Sequence, residues 1–263
     1  MYGSLALAVR SKQCRHLAYS FNFTELPKGI IRRVMSNAYR SVDRFVCYSH
    51  MERQLYARHF DLDINRIDMI HWAAAPPRLE ESARPIVEGD YLCAIGSQGR
   101  DYATLVEAMR TLPSIKLVIV ATPRSMAGLN IPANVEVKCN VPLDHAMNVL
   151  RYSRFVVVPL LGSEVPCGHV TIVSAMHSKK AIIVSASSGV VDYIQDGSTG
   201  ITVPVRDALA LARAIELLWA DPLQAAAIGL AAQAFARERC SENAAVAYLE
   251  SYLDQTLGDE IRT

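Results

Sequence analysis

The chain has 263 residues, 51% of them apolar and 20% charged, with a formal net charge of +1. That balance suits a folded chain of one large or two modest domains and excludes a disordered one. It offers no electrostatic argument for nucleic acid as a partner.

In chain order, the apolar opening Met1–Val9 is too short to span a bilayer. Arg10 and Lys12 follow it, the wrong order for a signal peptide, so the expectation is a cytoplasmic protein. "RHLAYSFNF", Arg15 to Phe23, reads as a strand. "KGIIRRVMSNAYRSVDR" places Ile30, Ile31, Val34, Met35, Ala38 and Val42 at helical spacing. Lys28, Arg32, Arg33 and Arg40 make that helix basic on one side, a solvated face or an anionic membrane surface. "FVCYS" from Phe45 is a strand, Ser49 can cap the helix "HMERQLYARHF", and "IDMIHWAA" from Ile67 is a third strand. This βαβαβ order calls for parallel pairing and right-handed crossovers.

Pro76 to Asp90 holds three prolines amid charges and reads as a linker. A second α/β series follows: strands "YLCAIGS", "KLVIVAT", "VEVKCNV" and "RFVVVPLL", with helices "DYATLVEAMRTL" and "LDHAMNVLRYS" among them. The continuous apolar run of "RFVVVPLL" fits the centre of a parallel sheet. Pro166 to Gly200 is expected to give a helix opening at Cys167-Gly168-His169, a strand ending at Ser187-Ser188-Gly189, and a helix from Val190. Three helices close the chain. The last, Asn243 to Leu257, carries Val246, Leu249, Tyr252 and Leu253 on one face, which needs a surface to bury.

Six single cysteines, Cys14, Cys47, Cys93, Cys139, Cys167 and Cys240, include no CxxC pair. This argues against a zinc or thioredoxin-type site and for a reducing compartment.

Two strand-to-helix turns can carry chemistry. Gly96-Ser97-Gln98-Gly99-Arg100 allows close backbone approach, and Arg100 offers a fork suited to phosphate oxygens. Cys167-Gly168-His169-Val170-Thr171 opens a helix whose first amides suit a diphosphate. The bland alternatives are an ordinary glycine turn and a capping or packing histidine. A Cys167–His169 thiolate pair is disfavoured, because side chains at a helix start point apart. Both turns follow parallel strands and therefore share the carboxyl edge of the sheet, where α/β proteins bind ligands.

Gly96, Arg100-Asp101-Tyr102, "TLVEA", "VVVPL", Ser174-Ala175-Met176, "AIIVS", "GVVDYIQDGSTGITVP" and "DALALARAIELL" together resemble the nucleotide-binding domain of retaining GT-B glycosyltransferases of family 4, also called group 1. The resemblance covers about Tyr91 to Cys240 and implies an α/β, GT-B-like fold. A complete Rossmann-like domain at 84–240 would join a partial Rossmann-like domain at 1–83, with a helix at 241–263 crossing back. It implies sugar transfer, with retention, from a UDP- or GDP-sugar to a glycan or lipid-linked acceptor, without cofactor or metal. By that resemblance the diphosphate falls to Gly96, Ser97, Gly99, Arg100, Gly168, His169, Val170 and Thr171. The ribose falls to Ser174, and the base to the loop Cys139–Pro142 with Asn140 and Val141.

The family's paired glutamates are not matched. Ser174 stands where the second lies and Pro166 where the first does, leaving Glu164 nearby as a catalytic candidate beside Arg100. The family's full acceptor domain is also not matched, so a partner polypeptide or an upstream extension is one expectation. An unpaired edge or bare apolar face around Phe45–Tyr48 is another. The rival readings are a non-catalytic nucleotide-sugar-binding subunit, a degenerate remnant, and a nucleotide-sugar epimerase.

Overall fold

The computed structural model describes residues 15–19, 26–77, 84–164 and 167–261. The apolar opening, Cys14, the middle of the linker and Pro166 lie outside them.

The first unit comprises β1 (Leu17–Tyr19), α1 (Gly29–Arg40), β2 (Arg44–Cys47), α2 (His50–Phe60) and β3 (Ile67–Met69). Its three strands are parallel in the order β1-β2-β3. Ser49 caps α2 by accepting from the Glu52 N–H, and Glu52 reaches back to the Tyr48 N–H at 3.0 Å. This reciprocal arrangement satisfies donors that a helix start leaves open. Met35 and Tyr39 of α1 pack with Tyr56 and Phe60 of α2 over Cys47 and Ile67. The expected bare edge at Phe45–Tyr48 is not what folds: β2 is the central strand, and Val46 and Cys47 are buried.

The second unit runs β4 (Leu92–Ile95), α3 (Tyr102–Arg110), β5 (Leu117–Ala121), α4 (Pro123–Met126), β6 (Val135–Cys139) and α5 (Leu143–Tyr152). It continues β7 (Val156–Val158), α6 (His169–His177), β8 (Ile182–Ser185), β9 (Ile201–Val203), α7 (Ala208–Ala220) and α8 (Pro222–Arg239). The sheet is wholly parallel in the order β6-β5-β4-β7-β8-β9. Leu92 and Ala94 of β4 face one apolar layer and Cys93 and Ile95 the other, so the sheet is covered on both faces. That burial explains the near-continuous apolar strands. Close packing of α8 needs Gly229, since a Cβ there would stand 2.2 Å from the Lys179 carbonyl oxygen.

Two expectations for this unit change. Residues from Ser188 to Tyr193 form turns rather than a helix, and β9 is an added strand. The Val190 carbonyl accepts from both Tyr193 and Ile194, which closes a single turn. The side chains of Asp192 and Tyr193 then reach the first unit instead of continuing a helix.

The final helix, α9 (Glu242–Ile261), approaches the first unit, where Tyr248 donates to Asp68 Oδ2 at 2.8 Å. The face turned toward β2 and β3 carries Tyr248, Ser251, Tyr252 and Gln255, which share a small pocket with Arg44 and Asp68. Of the expected apolar face only Tyr252 takes part. Val246 and Leu253 are about half exposed, at 49% and 53%, because the neighbouring strand residues are polar. Among the described residues no single helix is long and apolar enough to cross a membrane.

Candidate functional site

A cleft of about 510 Å³ opens between the units. The second unit supplies Ile95–Gln98, Arg100, Leu143, Met147, Cys167–Thr171 and Ser174, and the first supplies Tyr48, Glu52 and Trp72. Its floor is where β4 and β7 lie side by side while their connections depart in opposite directions. Such a topological switch leaves a crevice at the carboxyl ends of the strands. The loops after β4 and β7 are tied together: Leu161 N donates to Gly99 O and Asp101 N to Pro159 O, both at 3.0 Å.

Arg100 is the cation of this floor. Its Nη2 donates to Thr171 Oγ1 at 3.0 Å and its Nη1 to the Gln98 carbonyl at 3.0 Å, while Nε is buried with no hydrogen-bond partner. Gly96 provides the seat. Its φ is +112°, in the region glycine favours, and a Cβ there would stand 2.9 Å from Arg100 Nη2. Tyr102 fixes the same turn from below by donating to the Gly96 carbonyl. Ser97 Oγ accepts from the Thr122 N–H at 2.8 Å, so this hydroxyl ties β4 to β5.

The two turns are not equivalent helix mouths. α3 begins after Asp101, whose buried carboxylate accepts from Thr104 N and Thr104 Oγ1 at 3.1 and 2.7 Å. A carboxylate already occupies that positive end, so the first turn offers Arg100 rather than open amides. α6 is the opposite case. Its N-cap is Gly168 at φ +100°, with no side-chain cap. The amides of His169, Val170 and Thr171 precede the first helical bond, Ile172 N to Gly168 O at 2.9 Å. They make an anion-receptive end facing the cleft.

The side chains here are committed to structure. His169 is buried, and its Nε2 donates to the Gly189 carbonyl at 2.7 Å while its ring stacks on Tyr193 at 4.8 Å. Burial pushes its pKa below the ordinary histidine value, which keeps it neutral. Thr171 Oγ1 accepts from Arg100 and donates to Ile95 O at 3.2 Å. Cys167 is buried beside Arg100, with Sγ 3.9 Å from Nη1. Burial raises its thiol pKa and Arg100 only partly opposes this, so it is no thiolate nucleophile.

Several candidates therefore meet: Gly96, Ser97, Arg100, Gly168, His169, Val170, Thr171 and Ser174 line one cleft. Gly99 lies beside it, with its carbonyl bonded to Leu161. Glu164 is exposed on the preceding loop and does not line the cleft. Asn140, with φ +53°, is exposed after β6, and Val141 packs on the core, so neither lines it. Glu52, Tyr48 and Trp72 were missed. Glu52 accepts from Tyr48 N, Ser49 Oγ and Tyr56 Oη, and burial raises its pKa against the pull of those donors. The S-x-x-E spacing after β2 was the available signal, and it reads as a cap rather than a cleft wall.

The wall from the first unit is held by one segment of the second. Asp192 accepts from the His50 N–H and pairs with His50 Nδ1, both at 2.8 Å. Its carbonyl accepts from His71 Nε2 at 2.8 Å. Tyr193 donates to Tyr48 O at 2.7 Å and accepts from Trp72 N at 2.8 Å.

Comparison with known proteins places this geometry in a family context. Residues 91–221 match the family model described as Glycosyl transferases group 1. No match was found among curated proteins. Among solved structures, sucrose-phosphate synthase from Thermosynechococcus elongatus is 22% identical, with a TM-score of 0.72, over 87% of this chain and 62% of that one. This chain thus spans less than two thirds of that protein. A glycosyltransferase from Rickettsia africae is 17% identical with a TM-score of 0.72, over 92% of this chain and 70% of that one. Anabaena HepE in complex with UDP and glucose is 17% identical with a TM-score of 0.69, over 93% and 72%. The fold is that of GT-B glycosyltransferases, and residues 91–221 are similar to group 1 glycosyl transferases.

Proposed function

We propose that the cleft binds a nucleoside-diphosphate sugar, with a UDP- or GDP-linked donor as the class, and that the chain serves retaining transfer to a glycan or glycolipid acceptor, as in family 4. The observation that carries this reading is the meeting of Arg100 with the uncapped mouth of α6 at the β4–β7 switch point. A diphosphate needs several N–H donors and a cation on one side, and this floor supplies both. The likeness of the second unit to group 1 glycosyl transferases supports the choice of ligand.

In transfer, the bond between the anomeric carbon and the diphosphate oxygen breaks, and the electron pair leaves on that oxygen. Arg100 and the amides of His169 and Val170 stabilise the developing charge, a contribution of about 3–4 kcal/mol for each well-placed donor. The acceptor hydroxyl bonds to the anomeric carbon and gives up its proton. Glu52 is the one carboxylate among the cleft-lining residues, and three donors already engage it. The leaving phosphate oxygen is therefore the better proton acceptor. Ser174, one turn into α6, offers a single hydroxyl to the ribose.

That single hydroxyl favours a second reading, a nucleotide-sugar-binding subunit that does not catalyse transfer alone. Calorimetric titration with UDP, GDP and ADP, followed by assay of nucleotide release with candidate acceptors, separates the two. Saturable UDP or GDP binding with turnover supports the transferase, and binding without turnover supports the subunit. Absence of binding by every nucleotide overturns both.

A further inference from the structure

A cluster of positive charge lies away from the cleft. Residues 1–77 hold eleven Lys and Arg against six Asp and Glu, while residues 78–263 hold sixteen against twenty. On the outer side of the first unit, Arg32, Arg33, Ser36, Asn37, Arg40, Arg58 and Asp61 surround a shallow polar pocket of about 430 Å³ between α1 and α2. Several of these side chains are held in place. Arg32 Nε donates to the His59 carbonyl at 2.6 Å, and Arg40 donates to Asn37 Oδ1 at 2.8 Å while pairing with Asp61 at 3.1 Å. Asp61 is the one acidic side chain lining this pocket, so the four guanidinium groups are under-neutralised.

The apolar residues beside this cluster say what it meets. α1 buries Met35, Ala38 and Tyr39 against its own unit. Its opposite stripe is Ile30, Arg33, Asn37 and Arg40, spaced as one helix face. Ile30 on that stripe is 76% exposed, and neighbouring Ile31 is 45% exposed where the first turn overhangs the core. A soluble polyanion would reward the arginines and leave Ile30 in water. A bilayer with anionic headgroups rewards both, through phosphate pairing and insertion of apolar side chains at the interface.

We propose that this face of α1 and the end of α2 dock on an anionic lipid bilayer, with phosphate headgroups in the arginine pocket and Ile30 inserted beside them. The inference stands on this surface alone and does not depend on the reading of the cleft.

The test is sedimentation of the full chain with vesicles of phosphatidylcholine or of phosphatidylglycerol, across a salt series. Binding is expected to phosphatidylglycerol and to weaken as salt screens the arginines. Arg33→Glu with Arg58→Glu should lower the partition coefficient about 25-fold or more, since one basic residue near such a surface is worth about 1 kcal/mol, or about fivefold. Ile30→Ser should lower it several-fold and leave the remainder more salt-sensitive. All three sites are exposed, and unchanged thermal unfolding of each variant checks that it folds. Should a variant misfold, the lipid and salt dependence of the unmodified chain decides alone. Equal binding to both vesicle types, or binding indifferent to salt or to the arginine changes, overturns the proposal. So does sensitivity to the arginines with no effect of Ile30→Ser, accompanied by tight heparin binding, which would assign the patch to a soluble polyanion.

Discussion

The two units solve the same βα problem with unequal means. The second covers both faces of six strands with helices, so alternate residues of β4 enter separate apolar layers. Among the described residues the first has three strands and one modest cluster, Met35, Tyr39, Cys47, Tyr56, Ala57, Phe60 and Ile67. It gains further order by borrowing: Asp192 holds the first amide of α2, Tyr193 joins Tyr48 to Trp72, and Tyr248 reaches Asp68. Stability in the second unit is a matter of packing, and in the first largely of polar contacts with its neighbour. The floor proposed to bind phosphate sits on the packed unit, and the facing wall of Tyr48, Glu52 and Trp72 on the borrowed one.

The largest effect should come from breaking the packed unit. Gly229→Ala places a methyl against the Lys179 carbonyl, a backbone atom that cannot turn aside. The second unit should lose about 3 kcal/mol, the scale of a severe overpacking defect. Scanning calorimetry should show its transition, the higher of two, falling toward that of the first unit. An unmoved upper transition would mean that α8 is not part of that unit's cooperative core.

Tyr193→Phe sharpens the comparison from the other side. It keeps the ring on His169 and deletes two hydrogen bonds to the first unit, each worth about 1 kcal/mol. The lower transition should fall by an amount corresponding to about 2 kcal/mol and the upper one should stay in place. A shift of the upper transition alone would contradict the idea of borrowed stability.

Much of this division is legible in the sequence. Val156–Val158 and Ile182–Val184 announce buried parallel strands by composition alone, and the turns at Gly96 and Gly168 announce backbone freedom at strand ends. The Val190–Tyr193 segment misleads, since its apolar spacing suits a helix while Asp192 and Tyr193 bond residues more than 100 positions away. The Asp101 cap, which distinguishes the two turns, depends on a carboxylate folding back on Thr104, and spacing shows that only once the helix start is known. Glu52 and Trp72 reach the cleft only through the packing of one unit on the other, which no local pattern encodes.

A smaller effect follows from pH. Burial lowers the pKa of His71 and His169, and both contact the Asp192–Tyr193 segment. In the unfolded chain these groups take up protons near pH 6.5 while the folded chain resists, so stability is full above that value and falls as pH drops through it. Glu52, whose pKa burial raises, works in the opposite sense, costing stability as pH rises past 4.5. Denaturant unfolding from pH 7.5 to 5.5 should show a net decline that His71→Gln makes shallower. A decline of unchanged slope in that variant would remove His71 from the account.

Smallest of all is Asp192→Asn. The His50 imidazole is 63% exposed, so its pairing with Asp192 is screened by solvent. The helix amide keeps an oxygen acceptor, and the loss should be about 0.5–1 kcal/mol in the lower transition. A loss as large as that of Tyr193→Phe would show that the carboxylate charge, rather than the hydrogen bond, holds the wall.

The central claim is that Arg100 and the mouth of α6 form one diphosphate site on the packed unit. Isothermal titration of UDP and GDP into the unmodified chain and into Arg100→Ala tests it most directly. The account predicts binding of at least one nucleotide by the unmodified chain, weakened in Arg100→Ala by about 1.5–3 kcal/mol, the range for a hydrogen bond to a charged group. Equal dissociation constants for the two proteins would contradict it.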